Sequence, residues 1–310
     1  MAYNYLFGPV PSRRLGMSLG VDLVPHKICS FNCIYCEVGA TTDLTVTRKE
    51  YVDIKQVKNE LDDFLSKDPE LDYITFSGSG EPTLNNKLGD IVDYIKEAYP
   101  KYKLALLTNS SLLHDPNLRR EIMPMDVILP SLDAVTENAF LKVNRPNPDL
   151  NVDSIIEGLE RLRAEFAGLI WLEILFVKGY NDNERELDKM KEVLKAINPD
   201  QIQLNTVDRP GTESWAQPIS TTKLKKIKDF LSPLPAKVVA KSTAQSYDSN
   251  VDNLEDKILE TIKRRPCTAD DIMRMYGLKK VELNKYLRKM EQEDLILRQK
   301  QERGIFYKTK

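Results

Sequence analysis

Short apolar runs and helical stripes take turns along this chain as far as about residue 235, and that alternation constrains the fold more than any other feature. Strands are expected over residues 18–24, 73–76, 103–107, 126–129, 169–177 and 201–206. Helical spacing appears over 52–67, 87–99, 152–166, 183–197 and 221–231. In the first of these, Ile54, Val57, Leu61 and Leu65 fall on one stripe, with Asp53 placed as the N-cap. Strands alternating with helices build right-handed βαβ units and a parallel sheet. Six such units suit an α/β fold of the partial (β/α)6 barrel kind, and they would also suit an open doubly wound sheet. Both architectures put chemistry at the carboxyl ends of the strands. The polar, Gly-containing segments of this sequence follow its strands.

Residues 241–252 are polar and weakly patterned, and read as a linker between a body of residues 1–240 and a tail of 253–310. In the tail, Pro266 stops a helix over 254–264, and Thr268 caps a short helix ending near Gly277. A third helix covers 279–290, and strands over 295–299 and 305–307 flank a Glu302-Arg303-Gly304 turn. Three helices and a hairpin predict a winged helix-turn-helix. The chain has a net charge of −2. Residues 253–310 nevertheless hold 15 Lys and Arg against 10 Asp and Glu, so an acidic body carries a basic tail. Lys279, Lys280, Lys285, Arg288 and Lys289 lie on or near the third helix, and Arg298, Lys300 and Arg303 on or near the hairpin. That face suits nucleic-acid phosphate. Glu282, Glu291, Glu293 and Asp294 dilute it. Peptide binding and packing against the body are the other uses of such a module.

Three of the four cysteines lie in one loop, as Cys29, Cys33 and Cys36, in C-x3-C-x2-C spacing. Such clustering is no disulfide framework and points to a metal or a cluster. Three thiolates can hold three corners of a cube, and a [4Fe-4S] cluster normally takes four cysteines, so one iron stays open. A zinc site with His26 as fourth ligand and a plain electron-transfer cluster are the competing readings. Cys267, the fourth cysteine, reads as a small buried residue of the tail. The first twenty residues hold Arg13-Arg14 and no apolar core, so no secretory leader is expected there. The apolar run 169–177 contains Glu173 and falls well short of the ~20 residues of a membrane helix. A cytoplasmic protein without a membrane partner is the expectation.

The cysteine loop, with Tyr35 directly before its third cysteine, resembles that of the radical S-adenosylmethionine (radical SAM) superfamily. The resemblance implies a [4Fe-4S] cluster on Cys29, Cys33 and Cys36 whose open iron binds the amino and carboxylate groups of S-adenosylmethionine. One electron, from a reductant such as flavodoxin or ferredoxin, then yields a 5′-deoxyadenosyl radical. Thr75-Phe76-Ser77-Gly78-Ser79-Gly80-Glu81-Pro82 matches the superfamily's Gly-Gly-Glu-Pro segment, with Ser79 in place of its first glycine. It implies Ser79, Gly80 and Glu81 as contacts of the amino group. Tyr35 is implied near the adenine, and Asn109 at the ribose or carboxylate. Ser131 and Asp133 point to the same region, and Asn205 and Asp208 to the adenine. A turn or capping role is the alternative for several of these.

Residues 7–16, with Arg13 and Arg14 set among Gly and Pro, suit a grip on substrate phosphate or carboxylate, or else a solvated arm. Together with the Ser77-Gly78-Ser79-Gly80-Glu81-Pro82-Thr83-Leu84-Asn85 stretch, they resemble a radical SAM group distantly related to the iron–sulfur enzyme that builds the wybutosine base of tRNA. The likeness covers about the first 235 residues. This chain lacks that enzyme's second cysteine set, so wybutosine chemistry is not implied. The expectation is a radical enzyme acting on an unidentified substrate. RNA is favoured through the tail, a peptide or protein is next, and a redox-responsive nucleic-acid-binding regulator is the answer from another class.

Overall fold

The computed structural model describes residues 3–12, 14–239, 254–301 and 303–309. Arg13, Glu302 and the predicted linker 241–252 lie outside the described residues. Eight strands form the main sheet: β1 (Leu6–Ser12), β2 (Gly16–Val21), β3 (Tyr73–Phe76), β4 (Leu104–Thr108), β5 (Val127–Pro130), β6 (Leu169–Phe176), β7 (Gln201–Thr206) and β8 (Ala236–Val238). They lie side by side in chain order, and β2 through β8 are parallel.

The pattern predicts six parallel strands, and the sheet holds seven. The extra one, β8, is three residues long, too short to show a period. Residues 7–12 are not a solvated arm: β1 pairs antiparallel with β2, and a register shift between Phe7 and Val10 absorbs the Gly8-Pro9 step.

Helices connect the parallel strands: α1 (Ile54–Leu65), α2 (Leu88–Ala98), α3 (Pro116–Glu121), α4 (Glu137–Val143), α5 (Val152–Glu165), α6 (Glu184–Ile197) and α7 (Thr221–Leu231). Asp53 caps α1 by accepting from the Lys55 N–H, and Asn183 caps α6 in the same way from Glu186. Strand alternation divides the sheet's two faces. On the helix side, Leu19, Ile74, Phe76, Leu106, Ile174, Phe176 and Leu204 are buried in the main core. The other face carries a smaller apolar cluster of Leu15, Ala105, Val127 and Leu129, packed with Trp171. Further toward the strands' carboxyl ends that face turns polar, through Ser131, Glu173 and Asn205.

A C-terminal unit follows: α8 (Leu254–Arg264), β9 (Cys267–Thr268), α9 (Ala269–Tyr276), α10 (Lys280–Gln292), β10 (Leu297–Gln301) and β11 (Gly304–Lys308). Its antiparallel sheet runs β9-β11-β10. It has a separate core of Ile258, Ile262, Cys267, Ile272, Leu283, Leu287 and Met290. Thr268 and Asp271 close a capping box on α9. Among the described residues, three of the eight predicted basic-face side chains are tied to carboxylates: Lys289 to Glu255, Arg298 to Glu291, and Arg303 to Asp208 and Asp271. Among the described residues, no helix is long and apolar enough to cross a membrane.

Candidate active site

The cysteine loop leaves the carboxyl end of β2, where a parallel sheet gathers its chemistry. Its backbone is pinned from several sides. The Ile34 N–H donates to the Val143 carbonyl and the Asn32 N–H to that of Asn144, each at 3.0 Å. The Thr45 N–H donates to the Cys29 carbonyl at 3.0 Å. All three cysteines are free thiols, half-buried.

Each sulfur meets a side-chain N–H donor from a different segment, and Cys29 also takes the Phe31 backbone N–H. The Lys27 ammonium lies 3.1 Å from Cys36 Sγ. Asn109 Nδ2, just past β4, reaches Cys29 Sγ at 3.5 Å and Ser30 Oγ at 2.8 Å. Asn144 Nδ2, after α4, reaches Cys33 Sγ at 3.5 Å. Donors aimed at sulfur stabilise thiolates and set the potential of a cluster held on them. Each donor segment also contains a non-glycine residue in the left-handed region: Lys27 at φ 59°, Ser110 at φ 70° and Arg145 at φ 45°. Such residues cost roughly 1–2 kcal/mol each. They cluster where surrounding structure holds a functional shape.

Burial pushes the Cys29 thiol up to about 12 and Cys33 well above its ordinary range, with nearby Glu81 and Asp133 adding to the two effects respectively. Burial alone would lower Lys27, but the adjoining Cys36 and Cys29 outweigh it and hold the ammonium above its ordinary value. His26 is exposed. Cys267 is fully buried in the C-terminal unit, its thiol donating to the Arg265 carbonyl.

The glycine turn after β3 is clamped onto the cysteine loop. A Cβ at Gly80 would sit 2.0 Å from the Ile28 carbonyl oxygen, so only glycine fits. The Glu81 N–H donates to that same oxygen at 3.1 Å, and the Ser79 carbonyl accepts from the Lys27 N–H at 2.8 Å. The buried Glu81 carboxylate accepts from the Thr83 N–H and hydroxyl, the Thr108 hydroxyl and the Asn109 N–H. Burial raises its pKa against the pull of those donors. Glu81 thereby ties the turn to the end of β4. Ser79 is held by Asp22, whose Oδ2 accepts from its N–H at 3.0 Å and its hydroxyl at 2.8 Å.

The remaining predicted residues separate into groups. Asp133 accepts from the Tyr35 hydroxyl, from Asn144 Nδ2 at 2.7 Å and from the Leu175 N–H at 2.9 Å. It therefore orients both the loop aromatic and the donor to Cys33. Ser131 closes the β5 end, its carbonyl accepting from the Ser110 hydroxyl at 2.8 Å. Asn205 donates to Glu173 Oε1 at 3.1 Å, and Arg14 donates to Glu173 Oε2 at 2.5 Å. Arg14 thus enters the sheet's polar face from the turn before β2, rather than extending into solvent. Asp208 is paired with Arg303 of the C-terminal unit.

Sequence reasoning gave no role to Lys27, Asn144 or Asp22, and it passed over Gly211. A Cβ at Gly211 would lie 2.6 Å from the Tyr35 carbonyl oxygen, so the loop after β7 also presses on the cysteine loop.

A model of the radical SAM superfamily matches residues 23–190, the span from the cysteine loop to α6. The chain belongs to that superfamily. It is 30% identical over 307 residues to a UPF0026 protein of Methanocaldococcus jannaschii, covering 97% of this chain and 94% of that one. It is 32% identical over 287 residues to a Brachyspira hyodysenteriae protein described as GTPase Obg, covering 92% of this chain but only 42% of that longer protein. Among solved structures, a radical SAM methyltransferase from Sphaerobacter thermophilus shares the fold with a TM-score of 0.55 at 19% identity. That match covers 73% of this chain and 68% of the methyltransferase.

Radical SAM membership makes this an enzyme, with a [4Fe-4S] cluster and S-adenosylmethionine as its cofactors. The donor set fits them. Three thiols, each facing an N–H donor, suit three thiolate corners.

Proposed function

We propose that Cys29, Cys33 and Cys36 carry the cluster, and that this radical SAM enzyme alters a nucleic acid, RNA before DNA, held by a C-terminal winged helix-turn-helix. The single observation supporting the cluster assignment is the set of three donors on three sulfurs. The bound cofactors supply a 5′-deoxyadenosyl radical when an electron arrives from a donor of the flavodoxin or ferredoxin kind. The protein's part is to hold and orient. Lys27, Asn109 and Asn144 support the sulfurs, and the Ser79–Gly80 backbone lies against the loop as the S-adenosylmethionine turn. Asp133 fixes the Tyr35 hydroxyl.

The nucleic-acid reading rests on α10. Val281, Lys285 and Arg288 follow one another at helical spacing, and all three are exposed, Val281 by 74%. The unit's bonds to the body run instead through Arg264, Pro266, Asp271 and Arg303. The distant likeness to the wybutosine enzyme favours RNA.

The test is anaerobic. Wild type and Cys33→Ala are reconstituted with iron and sulfide, reduced and given S-adenosylmethionine, and 5′-deoxyadenosine is measured. Wild type should form it and the variant should not. A loaded, reducible wild-type cluster that forms none would remove the assignment. Total tRNA should bind the full chain in a salt-dependent way. Failure at low salt would move the substrate to the peptide class.

A further inference from the structure

We propose that the C-terminal unit completes the S-adenosylmethionine site, with Arg264 a positioning residue that fixes the Ser79–Gly80 turn through Asp22. The proposal rests on the reading of that turn given above. Arg264 ends α8 and crosses to the body, where its NH1 donates to Asp22 Oδ2 at 3.1 Å. Its guanidinium lies 4.2 Å from the centroid of the Phe7 ring on β1. Asp22 is only 7% exposed, and the same oxygen takes the Ser79 N–H and hydroxyl. The carboxylate fills the space a side chain at Gly78 would need, since a Cβ there would lie 2.2 Å from Asp22 Cγ.

A buried carboxylate without a counter-charge is costly. Arg264 supplies that counter-charge at the same oxygen that holds the Ser79 N–H and hydroxyl. The pair is also incompletely satisfied. Asp22 Oδ1 and Arg264 Nε are buried with no hydrogen-bond partner among the described residues, so the contact can tighten to a two-bond fork when the turn is loaded.

A second bridge holds the opposite side of the cysteine loop. Arg209, 6% exposed, stands 3.3 Å from Glu37, the residue after Cys36, and also 3.3 Å from Asp271 of α9. Its NH1 donates to the Pro266 carbonyl at 2.6 Å. The C-terminal unit thus grips both the turn and the end of the cysteine loop, and a nucleic acid on α10 would act on a unit already joined to the cofactor site.

The experiment measures S-adenosylmethionine affinity of the reconstituted full chain, by equilibrium dialysis and by the change in the reduced cluster's EPR spectrum. Arg264→Ala and Asp22→Asn should each weaken binding about tenfold, and the double variant no more than either alone. Arg264→Lys, which keeps the charge, should restore most of the affinity. In turnover the loss should appear in KM more than in kcat. Arg298→Ala, which breaks the ion pair with Glu291 inside the C-terminal unit, should leave affinity unchanged.

Wild-type affinity in both Arg264→Ala and Asp22→Asn would overturn the proposal. So would an equal loss in Arg298→Ala, which would assign the effect to the unit's stability in general. Wild type that fails to bind S-adenosylmethionine would instead sink the reading of the turn itself.

Discussion

Replacing Lys27 by Met should make the cluster harder to reduce. Lys27 is only 3% exposed and its ammonium stands 3.1 Å from Cys36 Sγ, so it is a fixed positive charge at one corner of the site. Reduction adds a negative charge that this cation stabilises. With the ammonium taken about 6 Å from the centre of the cube and an effective dielectric of about 20, Coulomb's law gives roughly 3 kcal/mol. At ~59 mV per tenfold for one electron, the potential should fall by roughly 100 mV. Met keeps most of the apolar volume, and Lys27→Arg keeps the charge, so the pair separates electrostatics from packing. An EPR-monitored redox titration of the reconstituted protein reads the shift. A Met variant within about 20 mV of wild type would refute the reasoning, because a cation at this distance and burial cannot be so fully screened.

Gly80→Ala should cost roughly 1–3 kcal/mol in denaturant unfolding and lower the iron content after reconstitution, since the new Cβ would meet the Ile28 carbonyl oxygen at 2.0 Å. Asp133 is raised to about 6, chiefly by burial, so in the cluster-free protein it contributes stability present below the unfolded carboxylate value near 4 and lost as pH rises through about 6. Asp133→Asn should remove about 2–3 kcal/mol of that pH dependence, measured as unfolding free energy between pH 4 and 7. The double variant Lys285→Ala, Arg288→Ala should lower tRNA affinity and reduce the salt slope by about 2, one unit for each phosphate no longer neutralised, read from binding isotherms at several salt concentrations.

The elements were legible where a period had room to show. α7 and β3 begin and end where apolar spacing puts them, and the α1, α6 and α9 caps are the Asp, Asn and Thr that such positions favour. β8 was illegible because three residues carry no period. β1 was hidden by Gly8 and Pro9, which read as a loop while the strand shifts register around them. The clustering of the cysteines was legible because their spacing alone puts three thiols in one loop.

Their supports were not legible, because a donor to sulfur is defined by where distant segments meet. Asn144 lies 111 residues from Cys33, and Arg264 lies 242 residues from Asp22. Asn109 was singled out for the ligand, and its amide points at Cys29 and Ser30. The eight basic side chains of the tail formed one face in the sequence. Pairing with carboxylates withdraws three of them and leaves the outward stripe of α10.

The three sulfur donors are unequal, and the inequality bears on how the site works. Cys29 and Cys33 each face a neutral amide at 3.5 Å, whereas Cys36 faces an ammonium at 3.1 Å. Charge-assisted donors are shorter and roughly twice as strong as neutral ones. The electrostatic support is therefore concentrated at Cys36, the corner followed directly by Glu37, which lies beside Arg209 and through it the C-terminal unit. Cys29 and Cys33 are instead the thiols that burial keeps protonated in the cluster-free chain. Loading iron and sulfide must remove those protons, so assembly is favoured by rising pH. The left-handed residues Lys27, Ser110 and Arg145 hold the three donors in place beforehand, at a conformational cost that the folded body carries whether or not the site is loaded. A site built this way pre-organises its hydrogen bonds and leaves only the protons to move.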